Sequence, residues 1–132
     1  MSDQLKFGRV QLHLDNRGTL GVLDLAEVPF TPRRVFWITG VPSGLPRAGH
    51  GHYVCHQFLL CEQGGVEASV HSPQGIVQEF LLDIGTYLYV PPMNWLDLRN
   101  FESPSCLAVL ASHSYDPDDY ITDIERIFSA DS

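Results

Sequence analysis

The sequence predicts one all-β domain, a sandwich or barrel of short strands that ends in a short helix. The chain has 132 residues, and residues 1–132 fit one compact domain and are too few for two ordinary ones. Short segments rich in β-branched, aromatic or alternating apolar residues recur at nearly even spacing. This repetition favours a sandwich or barrel over alternating strands and helices.

Nine strands follow from this pattern, separated by turns such as Asn16-Arg17-Gly18 and Pro91-Pro92. In chain order they are Val10–Leu14, Thr19–Leu25, Arg34–Gly40, His50–Cys61, Val66–His71, Ile76–Leu82, Tyr87–Val90, Leu96–Asn100 and Cys106–Ala111.

The helix is predicted at the end of the chain. Asp116 is a suitable N-cap, Pro117 suits the first turn, and the acidic Asp118 and Asp119 complement the helix dipole. The apolar residues that then share one stripe, and would pack on the sheets, are Tyr120, Ile121, Ile124, Ile127 and Phe128.

Composition excludes several classes of function. Sixteen acidic and eight basic side chains give a net charge of −8, which argues against nucleic acid or an anionic membrane as a partner. No apolar run has the length of a transmembrane helix, and Met1–Arg9 lacks the core of a signal peptide. Three cysteines without C-x-x-C spacing favour a reduced, cytoplasmic protein.

The segment from Arg47 to Gln57 carries the most informative pattern. His50, His52 and His56 alternate along the predicted strand and would share one face, because successive side chains of a strand point to opposite sides. Three interpretations are open: core histidines with hydrogen-bond partners, a metal site, or general acid–base catalysis without metal.

At these residues the chain resembles a cupin. His56 or Gln57 stands where the first cupin motif has a glutamate ligand, and Leu96 replaces the histidine of the second motif. Because two of the four usual ligands are missing, a site without metal is favoured, although His56 could serve as a third ligand. The residues that match the two motifs are Gly44, His50, His52, Gly64, Gly85, Pro91 and Asn100.

Nearly the whole chain is similar to the dTDP-4-keto-6-deoxyglucose 3,4-ketoisomerases, metal-free cupins of deoxysugar biosynthesis. The similarity depends on an Arg-x-x-His-x-His block at Arg47–His52 together with a Tyr-Asp-x-x-Asp-Tyr-Ile tail at Tyr115–Ile121. It implies a jelly-roll fold and an isomerase without cofactor that moves the ketone of a dTDP-linked 4-keto-6-deoxy sugar from C4 to C3. It also implies a homodimer, commonly with an N-terminal strand exchanged between subunits.

This reaction needs a base for the C3 proton and a donor to the developing oxyanion, and imidazole suits both roles. The resemblance makes His50 the base and His52 the donor or second acid–base group, and the sequence alone does not fix which is which. A nucleoside diphosphate bound by a chain of charge −8 requires local arginines. The residues predicted to bind the substrate are Arg17, Arg34, Arg47, Phe36, His56 and Trp95.

Some of these residues carry more specific expectations. Arg17 lies in the hairpin that the family exchanges, so it is expected in the partner's site. His56 is expected to orient His52 by a hydrogen bond or to cap the inner face, and Trp95 to stack on thymine or sugar.

Three positions near the predicted site carry structural expectations. Phe36 and Trp37 stand where the family usually has two tyrosines, one of which contributes to the active site. Gln57 is expected on the face opposite His50.

Three other functions are open. A 3,5-epimerase also removes protons beside a C4 ketone, but the His–Asp dyad and tyrosine donor of the epimerases are not recognisable in this sequence. A metal-dependent cupin enzyme would require bound metal. A binding cupin that lost activity with its tyrosines would bind dTDP without turnover.

Overall fold

The computed structural model describes residues 4–130, and most of these residues form β-strands. The ends of the predicted domain, residues 1–3 and 131–132, lie outside this range. The strands are β1 (Lys6–Arg9), β2 (Gln11–Asp15), β3 (Gly18–Val22), β4 (Arg34–Thr39), β5 (Arg47–His52), β6 (Gln57–His71), β7 (Val77–Asp83), β8 (Thr86–Val90), β9 (Trp95–Ala111) and β10 (Tyr120–Ile121), and the α-helix is α1 (Glu125–Ser129).

Two β-layers are built around the long antiparallel pair β6 and β9. Their register shifts three times between Cys61 and Glu67, so the two halves of each strand have different neighbours. The first layer contains β5, β7 and β10 with the second half of β6 and the first half of β9. The second layer contains β1, β4 and β8 with the first half of β6 and the second half of β9.

The main core lies between these layers, because alternate side chains of each strand point inward. Leu98 and Val70 from the first layer and Leu59 and Val109 from the second belong to one buried cluster. A smaller cluster around Val28, Phe58 and Tyr89 covers the outer side of the second layer. The hairpin of β2 and β3 forms a separate two-stranded sheet.

The predicted strand His50–Cys61 is wrong in one respect that matters for the site. β5 ends at His52 and β6 begins at Gln57, so residues 53–56 leave the ladder. The main chain of this connection bonds elsewhere: the Tyr53 N–H donates to the Asp119 carbonyl at 3.0 Å. The alternation of faces is therefore interrupted between the two strands.

The C-terminal helix is confirmed, but its predicted start is wrong. Asp116 does act as an N-cap, with its carboxylate accepting the Asp118 N–H, but it caps only the 3₁₀ turn Pro117–Asp119. Tyr120 and Ile121 then pair with His52 and Gly51 as β10, and the α-helix begins at Glu125. None of the helices within residues 4–130 has the length and apolar character needed to cross a membrane.

Gly64 lies at the bend where β6 passes from one layer to the other. Its φ is +74°, and a Cβ on this residue would collide with the main-chain oxygens of Glu102 and Pro104. Gly75 also has a positive φ, of +80°, but a Cβ there would meet nothing within 4 Å. Both positions therefore require the left-handed backbone conformation, but only Gly64 also requires the absence of a side chain.

Replacing Gly64 with Ala should cost about 3 kcal/mol of the free energy of unfolding, because a collision with main chain adds to the cost of the left-handed conformation. Gly75→Ala is the matched control and should cost about 1 kcal/mol, the conformational part alone. Urea unfolding of both variants measures the difference. Equal losses would show that the close approach at Gly64 is not a constraint.

Candidate active site

A cavity of about 150 Å³ opens between the two layers beside His50. The first layer contributes Arg47, His50 and Leu96 from β5 and β9, and Tyr120 from β10. The second layer contributes apolar side chains and the amide of Gln57. A larger cavity, of about 650 Å³ beside Pro91–Asn94, is lined by no titratable side chain among the described residues, so the chemistry favours the smaller one.

His50 and His52 lie next to each other at this cavity. A β-bulge at Ala48–His50 shifts the pairing of β5 with β9, and Ala48 and Gly49 both have positive φ. The two imidazole rings meet edge to face with centroids 5.2 Å apart, and the Tyr120 ring lies 5.0 Å from His50 and 4.4 Å from His52. Three rings that can exchange protons are thus grouped on the first layer.

The carboxylate of Asp119 holds His52 in place. Its Oδ2 lies 3.1 Å from His52 Nδ1, and it also accepts the main-chain N–H groups of Val54 at 2.8 Å and Cys55 at 3.2 Å. Asp119 is only 7% exposed, so these bonds form away from water. Since a carboxylate accepts the Nδ1 hydrogen, Nε2 of neutral His52 is the acceptor nitrogen, and it has no partner within residues 4–130.

Both histidines are held in their neutral forms. Burial lowers the pKa of His50 to about 4; the nearby His52 adds to this effect, and a main-chain hydrogen bond and Asp97 oppose it. Burial also lowers the pKa of His52, while the hydrogen bond and charge of Asp119 raise it and Arg34 lowers it. Near pH 7 each imidazole therefore has a free lone pair, the form that a general base requires.

Two of the three predicted arginines lie near the histidines. Arg47 lines the cavity. Arg34 lies 5.2 Å from the centre of the Phe36 ring, and its Nε is buried with no hydrogen-bond partner among the described residues. Arg17 is held instead by Asp15 at 2.6 Å on the β2–β3 hairpin, with 86% of its side chain exposed.

The expected position of His56 is wrong, and so is that of Gln57. Because the ladder is interrupted before β6, His56 is not on the face of His50 and His52; its Nδ1 lies 2.6 Å from the Tyr89 hydroxyl in the outer cluster. It makes no hydrogen bond to His52, whose Nδ1 is bonded to Asp119. Gln57 lines the cavity instead.

Phe36 faces the cavity between the layers, whereas Trp95 lies on the outer side of the first layer. Phe36 lines the cavity, whereas its neighbour Trp37 points outward and is 67% exposed. Trp95 alternates with the buried Leu96, and its indole N–H donates to Asp97 at 3.2 Å on the outer side of the first layer. A role for Trp95 in stacking on the substrate stays a prediction.

Sequence reasoning missed Asp119 as the partner of His52, and Tyr120 as a ring beside both histidines. The expectation that no His–Asp dyad with a nearby tyrosine exists is wrong. Both residues belong to the Tyr-Asp-x-x-Asp-Tyr-Ile tail, whose local pattern predicts the beginning of a helix. The tail itself was the sequence signal for these two residues. Its aspartates fit the N-terminus of a helix, and they fit equally a turn followed by a short Tyr-Ile strand.

Comparisons with known proteins place this site in a family. A family model described as "FdtA: WxcM-like, C-terminal" matches residues 3–131. A curated relative from Aneurinibacillus thermoaerophilus, TDP-4-oxo-6-deoxy-alpha-D-glucose-3,4-oxoisomerase, is 34% identical over 110 residues, which cover 82% of this chain and 78% of the relative. The chain belongs to the FdtA family of sugar 3,4-ketoisomerases. The predicted family is thereby confirmed.

Solved structures of FdtA-type ketoisomerases have the same fold. A histidine-to-asparagine mutant of the 3,4-ketoisomerase QdtA from Thermoanaerobacterium thermosaccharolyticum, in complex with TDP-4-keto-6-deoxyglucose, is 27% identical with a TM-score of 0.87, covering 98% of this chain and 95% of that chain. The WlaRB TDP-quinovose 3,4-ketoisomerase from Campylobacter jejuni is 28% identical with a TM-score of 0.85, covering 95% and 97%. The predicted cupin-type all-β fold is confirmed.

Asp119→Asn should lower the pKa of His52 further and should weaken the fold of this FdtA-family chain. The carboxylate supports that pKa against burial, and an amide oxygen cannot accept all three hydrogens that Asp119 accepts. NMR titration of the His52 ring measures the pKa, and thermal unfolding measures the stability. Asp118→Asn, a change at the exposed neighbouring residue, should alter neither. An unchanged or raised His52 pKa in Asp119→Asn would contradict the hydrogen bond between Asp119 and His52.

Proposed function

We propose that this chain is a 3,4-ketoisomerase that converts a TDP-linked 4-keto-6-deoxyglucose into the 3-keto sugar. The observation that carries the proposal is the pair of neutral histidines, His52 buried and His50 half-buried, at one cavity in a chain of the FdtA family. The Aneurinibacillus relative bears the name of this activity, and the QdtA mutant was crystallised with TDP-4-keto-6-deoxyglucose. Such a reaction belongs to deoxysugar biosynthesis.

His50 is proposed as the base that moves the carbon-bound proton. It lines the cavity, whereas His52 lies behind it and is 4% exposed. His50 takes the C3 hydrogen as a proton, and the electron pair left behind forms the C3–C4 double bond of an enediolate whose negative charge lies on the C4 oxygen. The proton of the C3 hydroxyl then passes to the C4 oxygen, C3 becomes the ketone, and C4 receives the proton held by His50.

His52 is proposed as the group that exchanges protons with the two oxygens. Its Nε2 is the free acceptor nitrogen, so it can take the proton of the C3 hydroxyl, and the Asp119 carboxylate then stabilises the imidazolium that forms. The proton returns from Nε2 to the C4 oxygen. This division of roles needs no redox partner, because the sugar itself is oxidised at C3 and reduced at C4.

Arg34 and Arg47 are proposed to bind the diphosphate. The Arg34 side chain contacts rings rather than a carboxylate, and its buried Nε lacks an acceptor among the described residues. An unpaired cation near the cavity suits an anion in a chain whose net charge is −8. Phe36 beside Arg34 would contact the apolar part of the same ligand.

The proposed reaction uses no metal. His52, Cys55 and Asp119 present possible ligand atoms within 4.8 Å of one another, but His50 is not part of that set. The Asp119 carboxylate already accepts three hydrogens there, so a metal would have to displace them. Full turnover in the presence of a chelator is part of the proposal.

A 3,5-epimerase is the second candidate, because the structure contains the His–Asp dyad and adjacent tyrosine that the sequence did not reveal. The RmlC epimerase of Mycobacterium tuberculosis shares the fold at 19% identity and a TM-score of 0.74, which shows the fold alone. The two activities differ in the ring carbons they exchange: C3 and C4 for the isomerase, and C3 and C5 for the epimerase.

A homodimer with an exchanged N-terminal segment is also proposed. The β2–β3 hairpin pairs only with itself within residues 4–130, and it exposes Leu14 by 73% and Leu20 by 63%. Apolar side chains on a projecting hairpin favour burial against a second subunit. Arg17 at the tip of this hairpin would then reach the partner's site.

The cytoplasm is the proposed location. Cys55, Cys61 and Cys106 are all free thiols, as expected in a reducing compartment.

His50→Asn should reduce turnover by about 10²–10⁴-fold, the contribution of a general base, while TDP binding persists. Proton NMR of TDP-4-keto-6-deoxyglucose incubated in D2O with EDTA follows both the ketone and the exchanging carbons. His113→Asn, at an exposed histidine, is the matched control and should turn over like the unchanged protein. Exchange at C3 and C5 without ketone migration would establish the epimerase, and tight TDP binding without exchange would establish a binding protein.

Mixing Arg17→Ala with His50→Asn should restore activity that neither variant has alone. In a mixed dimer, the subunit with intact His50 receives Arg17 from its partner, so one of the two sites is complete. Subunits are mixed after mild denaturation, and activity is compared with each variant refolded by itself. No gain on mixing, in a sample shown by native mass spectrometry to contain mixed dimers, would contradict the exchange.

A further inference from the structure

We propose that the C3 proton leaves and the C4 proton arrives on the same face of the sugar, so that the 3-keto product has the galacto configuration at C4. This inference rests on the proposed function and specifies its stereochemical outcome. Solved structures with the same fold are named for both C4 configurations: the TDP-quinovose 3,4-ketoisomerase WlaRB and the TDP-fucose 3,4-ketoisomerase WlaRA, both from Campylobacter jejuni. The configuration is therefore a property of each chain.

The titratable groups around the cavity all lie on one side of it among the described residues. His50 and Tyr120 line it from β5 and β10, with His52 directly behind them, and all three belong to the first layer. A proton donor or acceptor on this side is therefore always an imidazole or a phenol of the first layer.

Among the described residues, the second layer contributes no titratable side chain to the lining of this cavity. Its contribution to the cavity is four apolar groups and one amide, and an amide neither gives nor takes a proton near neutral pH. These residues are Phe36, Ile38, Gln57, Leu59 and Val109. The guanidinium groups of Arg34 and Arg47 suit the binding of anions rather than proton transfer to carbon.

The titratable groups nearest to this second layer do not reach the cavity. His56 and Tyr89 bond to each other on its outer side, under Phe30. Tyr115 lies against Arg34 and Tyr120 and is 65% exposed. Within residues 4–130, the opposite face of a sugar bound in this cavity therefore has no protein acid to protonate it.

Stereochemistry then follows from the shape of the ring. In a 4-keto sugar of the gluco series, the C3 hydrogen is axial and lies on the same face as H5. For His50 to remove it, that face must be turned toward the first layer. A proton delivered to C4 of the enediol from the same layer enters on the H5 side, which leaves the C4 hydroxyl axial. An axial C4 hydroxyl is the galacto configuration.

The outcome can be read from the product formed at early times. TDP-4-keto-6-deoxyglucose is incubated with the enzyme and EDTA, and the coupling between H4 and H5 of the 3-keto product is measured by proton NMR. We expect the small coupling of an equatorial H4, with the galacto isomer as the sole early product. His50→Asn under the same conditions measures any isomerisation caused by buffer, and we expect none at these times.

The possible products distinguish failure of the stereochemical inference from failure of the proposed ketoisomerase activity. A 3-keto product with the large coupling of two axial hydrogens would overturn this inference while leaving the isomerase in place, and would place the C4 donor on the second layer as water or a group of the partner subunit. A mixture of isomers from the first time point would also overturn it. No migration of the ketone would refute the proposed function itself, and the inference with it.

Discussion

The hydrogen bonds of the buried Asp119 carboxylate connect the two segments from which the site is built. Asp119 precedes β10, and it accepts hydrogens from His52 at the end of β5 and from Val54 and Cys55 in the connection to β6. Three donors compensate for the loss of water around a charge that would otherwise be costly to bury. The same contact orients the His52 ring and brings the adjacent Tyr120 against both histidines.

Burial keeps the histidines neutral and leaves part of their bonding capacity unused. His50 Nδ1 and His52 Nε2 are both enclosed without a hydrogen-bond partner among the described residues. Unpaired polar atoms reduce stability, so a chain retains them where a bound molecule completes them. The low pKa of His50, about 4, has the same origin, because both effects come from the removal of water around the rings.

The sequence was sufficient for the fold class and the family, because both depend on local patterns. It was insufficient for the connection at residues 53–56, which is aromatic and β-branched and favours a continuous strand. What interrupts that strand is Asp119, 64–67 residues away, since its main chain and side chain take the hydrogen bonds of Tyr53, Val54 and Cys55. The same distant contact makes Tyr120 and Ile121 a strand where the local pattern favoured a helix.

Two apolar side chains, Phe36 and Leu96, line the cavity beside the histidine pair. Phe36 faces the site without a hydroxyl, Trp37 points away from it, and Leu96 is an apolar neighbour of His50 in register. Neither Phe36 nor Leu96 offers a polar group to the histidine pair, and recognition on the second layer depends on shape, apolar contact and the Gln57 amide. A sugar held by such a surface is turned toward a single group of acids and bases. One layer is nonpolar and positions the sugar ring, and the other is polar and moves the protons. This separation confines the chemistry to one face of the substrate.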